Sequence, residues 1–348
     1  MSQNSLAAQA YYYVIIFRSV CFVNHTERIK MLLKHMGVIK TMSNLAYFFA
    51  GQGAAVSGMG RDLYENHAAA RRVFELGSDT LGLDLMKLCF TASTEELSLT
   101  KNTQPAIFTM SLASCAVLAE HGMQPDAVAG FSLGEISALT QAGAVSLEDG
   151  FQIIRARGDC MQKAAEQSGG AMVAVLGLSA EKIAQIADET PGYVLPVNYN
   201  SPVQTVIAGE KAAVAEAAQR CLDAGAKRAV RLAVNAAFHS AMMQDAAEEF
   251  SARIAGISFS VPNIPVYSNT TGRPIDDFSD LPAYLARQMT SPVRWVDTVQ
   301  NLASAGITQA IEHGPGKVLS GLARRIAPEI SCLSCDNNQN LTAILEKI

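Results

Sequence analysis

Val128-Ala129-Gly130-Phe131-Ser132-Leu133-Gly134 decides the reading of this chain. A short apolar stretch runs into Gly-x-Ser-x-Gly, and residues 135–141 continue at helical spacing. A serine on so sharp a strand-to-helix turn has its hydroxyl thrust outward, and the flanking glycines let backbone pass close by. The serine then stands at a helix N-terminus, where free N–H groups and the dipole favour a developing anion. The N–H of Leu133 is placed to donate to such an anion. On the pattern alone two readings stay open, a nucleophilic serine and a structural turn.

Working outward, Leu45–Ala50 is an apolar run stopped by Gly51-Gln52-Gly53, a buried strand followed by a tight turn. The spacing predicts helices over 61–77, 104–121 and 147–166. From Gly169-Gly170 the order changes: strand 171–176, helix 180–188, strands 193–198 and 204–208, helix 211–224, strand 227–233. That β-α-β-β-α-β order is ferredoxin-like. Beyond it come a loop with His239, a helix over 241–254, a strand over 265–268 and helices over 280–289 and 295–305. A strand over 308–312, a Gly-Pro-Gly turn and a helix over 317–326 follow. The expectation is an α/β fold: a large α/β-hydrolase-like domain with a parallel sheet core, spanning 42–167 and 235–348. A small ferredoxin-like subdomain, 168–234, is inserted into it. Residues 1–41 are read as an extension outside the fold. Their apolar run 11–23 is broken by Arg18 and falls short of the ~20 residues a bilayer requires.

Composition narrows the function classes. With 27 basic and 32 acidic residues the net charge is −5, which argues against non-specific nucleic-acid binding. Apolar residues make up 49% and charged residues 17%, a globular balance and not a disordered one. Seven cysteines in 348 residues are too few for a disulfide scaffold, so reduced thiols and a cytoplasmic protein are expected. Cys332-Leu333-Ser334-Cys335 has no second pair or histidine at metal spacing.

A nucleophilic serine needs a base. Of six histidines, His25 and His35 lie in the extension, and His67 and His121 sit at polar helix ends. His313 precedes the Gly-Pro-Gly turn, where it either lines a cleft or flanks the turn. His239, in a loop between an apolar strand and a helix, is best sited to aim an imidazole at a cleft. No carboxylate between 132 and 239 stands out as its orienting acid, because the acids there lie on helices of the inserted unit. A backbone carbonyl can take that place.

Eight ordered motifs then carry a resemblance. They are Phe49-Ala-Gly-Gln-Gly-Ala54, Gly130-Phe-Ser-Leu-Gly-Glu135, Arg157-Gly-Asp-Cys-Met-Gln162, Val197-Asn-Tyr-Asn-Ser-Pro202, Phe238-His239-Ser240, Gln288, Pro292-Val-Arg-Trp295 and Gly314-Pro-Gly-Lys-Val-Leu319. From about Met42 onward the chain resembles the malonyl-CoA–acyl carrier protein transacylases, which load malonyl groups for fatty-acid synthesis. The resemblance implies Ser132 as acylated nucleophile and His239 as its base. It implies the Gln52 and Leu133 N–H groups as the oxyanion hole, and the Gln288 main-chain carbonyl as the group that orients the histidine. Arg157 would clamp the malonyl carboxylate, Asn200 would line the cleft, and Phe238 would fill the space a 2-methyl branch would need. A guanidinium suits that clamp chemically, since it binds a carboxylate bidentately. Arg155, two residues along the helix, points elsewhere.

The implied partners are malonyl-CoA and acyl carrier protein, with no nucleic acid or membrane, and the enzyme is expected to be a monomer. No metal or redox cofactor is expected. An acidic carrier would meet a basic rim, for which Lys227, Arg228, Lys317, Arg324 and Arg325 are candidates. Two departures stand out: Phe131 replaces the family's usual His, and Ala54-Ala55 replaces its usual Ser-Gln. The alternatives are a serine esterase or thioesterase of α/β-hydrolase type, a transacylase for another acyl-CoA extender, and a non-catalytic carrier-docking protein.

Overall fold

The computed structural model describes residues 44–167 and 169–347. The expected extension 1–41 lies outside the described residues. Among the described residues the strands are β1 Leu45–Phe49, β2 Ala127–Gly130, β3 Gly170–Leu176, β4 Val194–Ser201, β5 Gln204–Glu210, β6 Arg228–Arg231, β7 Val266–Tyr267, β8 Gln309–His313 and β9 Ser331–Cys335.

Five of them form one sheet in the order β7-β2-β1-β8-β9, with every pairing parallel. Parallel strands are covered on both faces, so β1 is buried throughout and reads as an unbroken apolar run. Its side chains alternate between two cores. Leu45, Tyr47 and Phe49 join Phe74, Phe108 and Phe151, whereas Ala46 and Phe48 join Trp295, Val299 and Leu302. Phe48 meets Trp295 edge-on at 5.3 Å. The carboxyl ends of β1 and β2 run directly into the Gly51-Gln52 and Phe131-Ser132 turns, the end of a parallel sheet where ligands collect.

The other four strands form an antiparallel sheet, β4-β5-β3-β6, covered by helices Ala180–Asp188 and Lys211–Asp223. Ile183, Ile207 and Val214 lie at the centre of its core. This is the strand order that a βαββαβ unit produces, as the spacing predicted. Main-chain bonds tie it to the loop after residue 291: Tyr199 N–H donates to Val293 O at 2.9 Å, and Val293 N–H to Val197 O at 2.8 Å.

Three features differ from the sequence reading. The helix expected over 61–77 is two helices, Arg61–Asn66 and Ala68–Leu81, broken at His67 with φ −126° and ψ 122°. The His67 Nε2 lies 2.7 Å from Asn338 Oδ1, a tertiary partner that helical spacing cannot reveal. Two short helices, Leu85–Thr91 and Thr94–Ser98, begin at Asp84 and Ser93, whose side chains accept from Lys87 and Glu96 N–H. The chain ends in β9 and a helix, Asn338–Leu345, capped by Asn337.

Candidate active site

Glycine is required at both ends of the serine motif. A Cβ on Gly130 would lie 1.9 Å from the Gly134 carbonyl, and one on Gly134 would lie 2.2 Å from Phe49 O. Between them Ser132 takes φ +54°, a left-handed conformation that a side chain adopts only when its surroundings impose it. Asn269, just past β7, supplies much of that constraint. Its Oδ1 accepts the Ser132 N–H at 2.7 Å, and its Nδ2 donates to Gly130 O at 2.5 Å. One side chain thus holds both arms of the turn.

The hydroxyl of Ser132 meets two groups. His239 Nε2 is 2.7 Å away, and Arg157 Nη2 donates to the same oxygen at 3.1 Å. His239 also sits at positive φ, +63°. Its Nδ1 lies 3.1 Å from two main-chain carbonyls, those of Gln288 and Ser291. Carbonyls only accept, so Nδ1 carries the proton and Nε2 presents its lone pair to Ser132. Burial, and then the neighbouring Arg157 charge, push the imidazole down to about 4, against the pull of the two carbonyls. Gln288 is the residue whose carbonyl the resemblance implied there, and Ser291 is a second.

Arg157 projects from the inner face of helix Leu147–Gln167 and is 1% exposed. Burial brings it down to about 10, a value at which it stays charged at neutral pH. Its Nη2 divides between Ser132 Oγ and Gln288 Oε1, the latter at 3.0 Å. Among the described residues no acceptor meets its Nη1 or Nε. Arg155, by contrast, pairs with Asp159 at 3.0 Å near the surface.

Gln52 Nε2 donates to Thr100 Oγ1 at 3.2 Å. The turn before it packs on the serine motif so closely that a Cβ on Gly51 would lie 2.8 Å from Phe131 O. The main-chain N–H groups of Gln52 and Leu133 meet no acceptor among the described residues. Phe238 is 6% exposed and packs in the larger core. Phe131 lies against Trp295, ring centres 5.7 Å apart. Asn200 is buried near the end of β4, and its Oδ1 is unpartnered among the described residues. No hydrogen bond joins it to Ser132, His239 or Arg157 among those residues.

His313 stands apart from this constellation. It stacks on Phe49 at 5.4 Å and bonds Ser114 Oγ through Nδ1 at 2.7 Å, a packed core histidine.

The sequence reading passed over a carboxylate. Glu135, three residues after the serine, is fully buried. It accepts from Gln288 Nε2 at 2.7 Å, from Asn269 N–H at 3.2 Å and from the Tyr284 hydroxyl. Burial pushes it up to about 7, opposed by these bonds and by Arg157. It does not touch His239, so it is not the missing acid of a triad. Its place in the first turn of a helix was visible, but its burial was not.

Residues 46–322 match the acyl transferase domain family. The malonyl CoA-acyl carrier protein transacylase of Bacillus subtilis is 38% identical over 310 residues, which cover 88% of this chain and 98% of that one. The crystal structure of malonyl-CoA:acyl carrier protein transacylase from Xanthomonas oryzae superposes with a TM-score of 0.84 at 39% identity. The match covers 88% of this chain and 99% of that one. A malonyl-transacylase in complex with a type II PKS acyl-carrier protein matches at TM-score 0.84 and 39% identity, covering 88% of this chain and 100% of that one. The ordered motifs, the fold and these matches agree, and the chain belongs to the malonyl-CoA–acyl carrier protein transacylase family of acyltransferases.

Proposed function

We propose that this protein moves malonyl from malonyl-CoA to the phosphopantetheine thiol of an acyl carrier protein, through a malonyl-serine intermediate, in cytoplasmic fatty-acid biosynthesis. The contact of Ser132 Oγ with both His239 Nε2 and Arg157 Nη2 carries the reading, because it joins nucleophile, base and carboxylate binder at one atom. His239 takes the Ser132 proton as Oγ attacks the thioester carbonyl. The Gln52 and Leu133 N–H groups hold the oxyanion. The protonated imidazole returns its proton to the departing CoA sulfur. Malonyl-serine remains, its carboxylate on Arg157. The carrier thiol then gives its proton to His239 and attacks the same carbonyl; the Ser132 Oγ–acyl bond breaks, His239 returns the proton to Oγ, and the malonyl thioester leaves. Every proton and charge in this route is handled by protein groups. Phe238 and Asn200 bound the acyl pocket.

The fold division follows the chemistry: 42–167 with 235–348 as the large domain and 168–234 as the insertion. Lys227, Arg228, Lys317, Arg324 and Arg325 are all exposed and form the candidate basic rim for an acidic carrier.

Arg157→Ala is the direct test of substrate class. A bidentate charged hydrogen bond contributes roughly 1.5–3 kcal/mol, so malonyl transfer should fall about 10- to 150-fold. Acetyl-CoA lacks the carboxylate, and its transfer should fall far less. The readout is carrier acylation by a panel of CoA esters. Equal losses for malonyl and acetyl would remove the clamp, and acyl release to water faster than to carrier would make the protein a thioesterase.

The lowered imidazole pKa has a sign. The neutral ring is the base, so its working form persists to lower pH than for an ordinary histidine. At pH 5.5 a ring of pKa 6.5 is about 90% protonated, whereas one near 4 is only about 3% protonated. The charged groups around the ring are Arg157 and, through Gln288, Glu135. Acetyl-CoA avoids the carboxylate clamp, so its acylation rate isolates the base. Rapid-quench mass spectrometry should show that rate changing less than about threefold between pH 7.5 and 5.5. A tenfold fall would place the pKa at its ordinary value.

A further inference from the structure

We propose that Glu135 is a positioning residue for this reaction. Its carboxylate sets which way the Gln288 carboxamide faces, and through that amide it holds Arg157 in the orientation that meets the substrate carboxylate. The inference rests on Arg157 as the clamp.

A carboxamide has nearly the same shape either way round, so its neighbours decide its direction. At one end Gln288 Nε2 donates to Glu135 Oε2 at 2.7 Å and to Ser132 O at 2.8 Å. Ser132 O only accepts, and so does Glu135 Oε2 when ionised, so the nitrogen faces them. The oxygen is left facing Arg157 Nη2 at 3.0 Å, a donor. Glu135 is fixed in turn by Tyr284 and by the Asn269 N–H, so it cannot swing away. Glu135, Gln288 and Arg157 are each 1% exposed or less, and water cannot readily replace a lost bond.

The interposed amide solves an electrostatic conflict. A buried guanidinium needs negative charge nearby. A glutamate touching Arg157 directly would meet that need but occupy the N–H fork intended for substrate. Placed one amide away, Glu135 stabilises the cation through Gln288 and occupies none of the fork. Arg157 Nη1 and Nε keep no acceptor among the described residues.

Glu135→Gln tests this with almost no change in volume. If the new NH2 faces Gln288 Nε2, two donors oppose each other. If residue 135 turns over, its NH2 faces the Asn269 N–H. If Gln288 turns over, its NH2 faces Arg157 and its oxygen faces Ser132 O. Every arrangement leaves a buried clash of like groups, and turning Gln288 over misdirects Arg157. The expected result is a fall of roughly 10- to 100-fold in kcat/KM for malonyl-CoA, against less than about threefold for acetyl-CoA. Gln288→Leu removes the amide and keeps the main-chain carbonyl at His239. Its malonyl loss should exceed its acetyl loss several-fold, and the double variant should lose no more than either single one. If Glu135→Gln does not fold, Gln288→Leu alone carries the test. Arg157→Ala is run beside them. If it is malonyl-selective while Glu135→Gln or Gln288→Leu loses both acyl groups equally or neither, Glu135 is only structural. If Arg157→Ala itself lacks selectivity, the clamp reading fails first and takes the proposal with it.

Discussion

Ser132→Ala is expected to lower malonyl transfer to carrier protein by about 10⁴-fold or more and to abolish the covalent adduct. The size follows from what alanine lacks. Removing Oγ deletes the proposed nucleophile and both contacts made to it, from His239 and Arg157. What remains is an oxyanion site and a binding cleft, which hold the thioester but give it nothing to react with except water or the incoming thiol. The backbone should persist, because the turn is held by Asn269 and by the close approach of Gly130 and Gly134, not by the hydroxyl. Intact-mass measurement after brief mixing with malonyl-CoA shows the outcome. The wild type should gain one malonyl group that maps to Ser132, and the variant none. An adduct that survives in Ser132→Ala would assign the chemistry to another residue.

His239→Ala is expected to cost about 10²- to 10⁴-fold, the range for a general base. In the proposed route the imidazole takes the serine proton in the first half-reaction and the carrier thiol's proton in the second, so both should slow. A shared loss separates a base from a residue that only binds one substrate. Rapid-quench acylation by malonyl-CoA and single-turnover transfer from preformed malonyl-enzyme measure the two halves. The Ser132→Ala/His239→Ala double variant should be no worse than Ser132→Ala alone, since the two act as a unit. Loss confined to one half-reaction, or losses that add, would overturn the assignment.

Much of this arrangement was readable because it is local or compositional. The elbow is five consecutive residues whose spacing has one geometric purpose. The apolar run of β1 and the βαββαβ order rest on periodicity, which burial enforces. The unread parts depend on distant contacts. Asn269 reaches a turn 137 residues away, and Glu135 looks like an ordinary first-turn acid until Tyr284 and Gln288 fold over it. His67, where the helix breaks, finds its partner in Asn338, 271 residues on. Strand β9, Ser-Cys-Leu-Ser-Cys, has too weak an apolar alternation to announce itself, and only its pairing with β8 makes it a strand. The second carbonyl on His239 is invisible for a different reason: main-chain acceptors leave no mark on residue type.

That pair of carbonyls bears on what this site can cleave. In a triad the acid contributes a full negative charge that favours the charged ring. Two neutral dipoles favour it less than a carboxylate would, and burial and the Arg157 charge outweigh them, so the ring holds an added proton loosely and surrenders it readily. Such a weak base suits a nucleophile attacking an activated acyl group and a leaving atom that departs easily as an anion. Sulfur meets that description, with thiol pKa values of about 8.5, whereas an amide nitrogen does not. The orientation of His239 by backbone, in a buried site beside Arg157, thereby suits the exchange of one thioester for another.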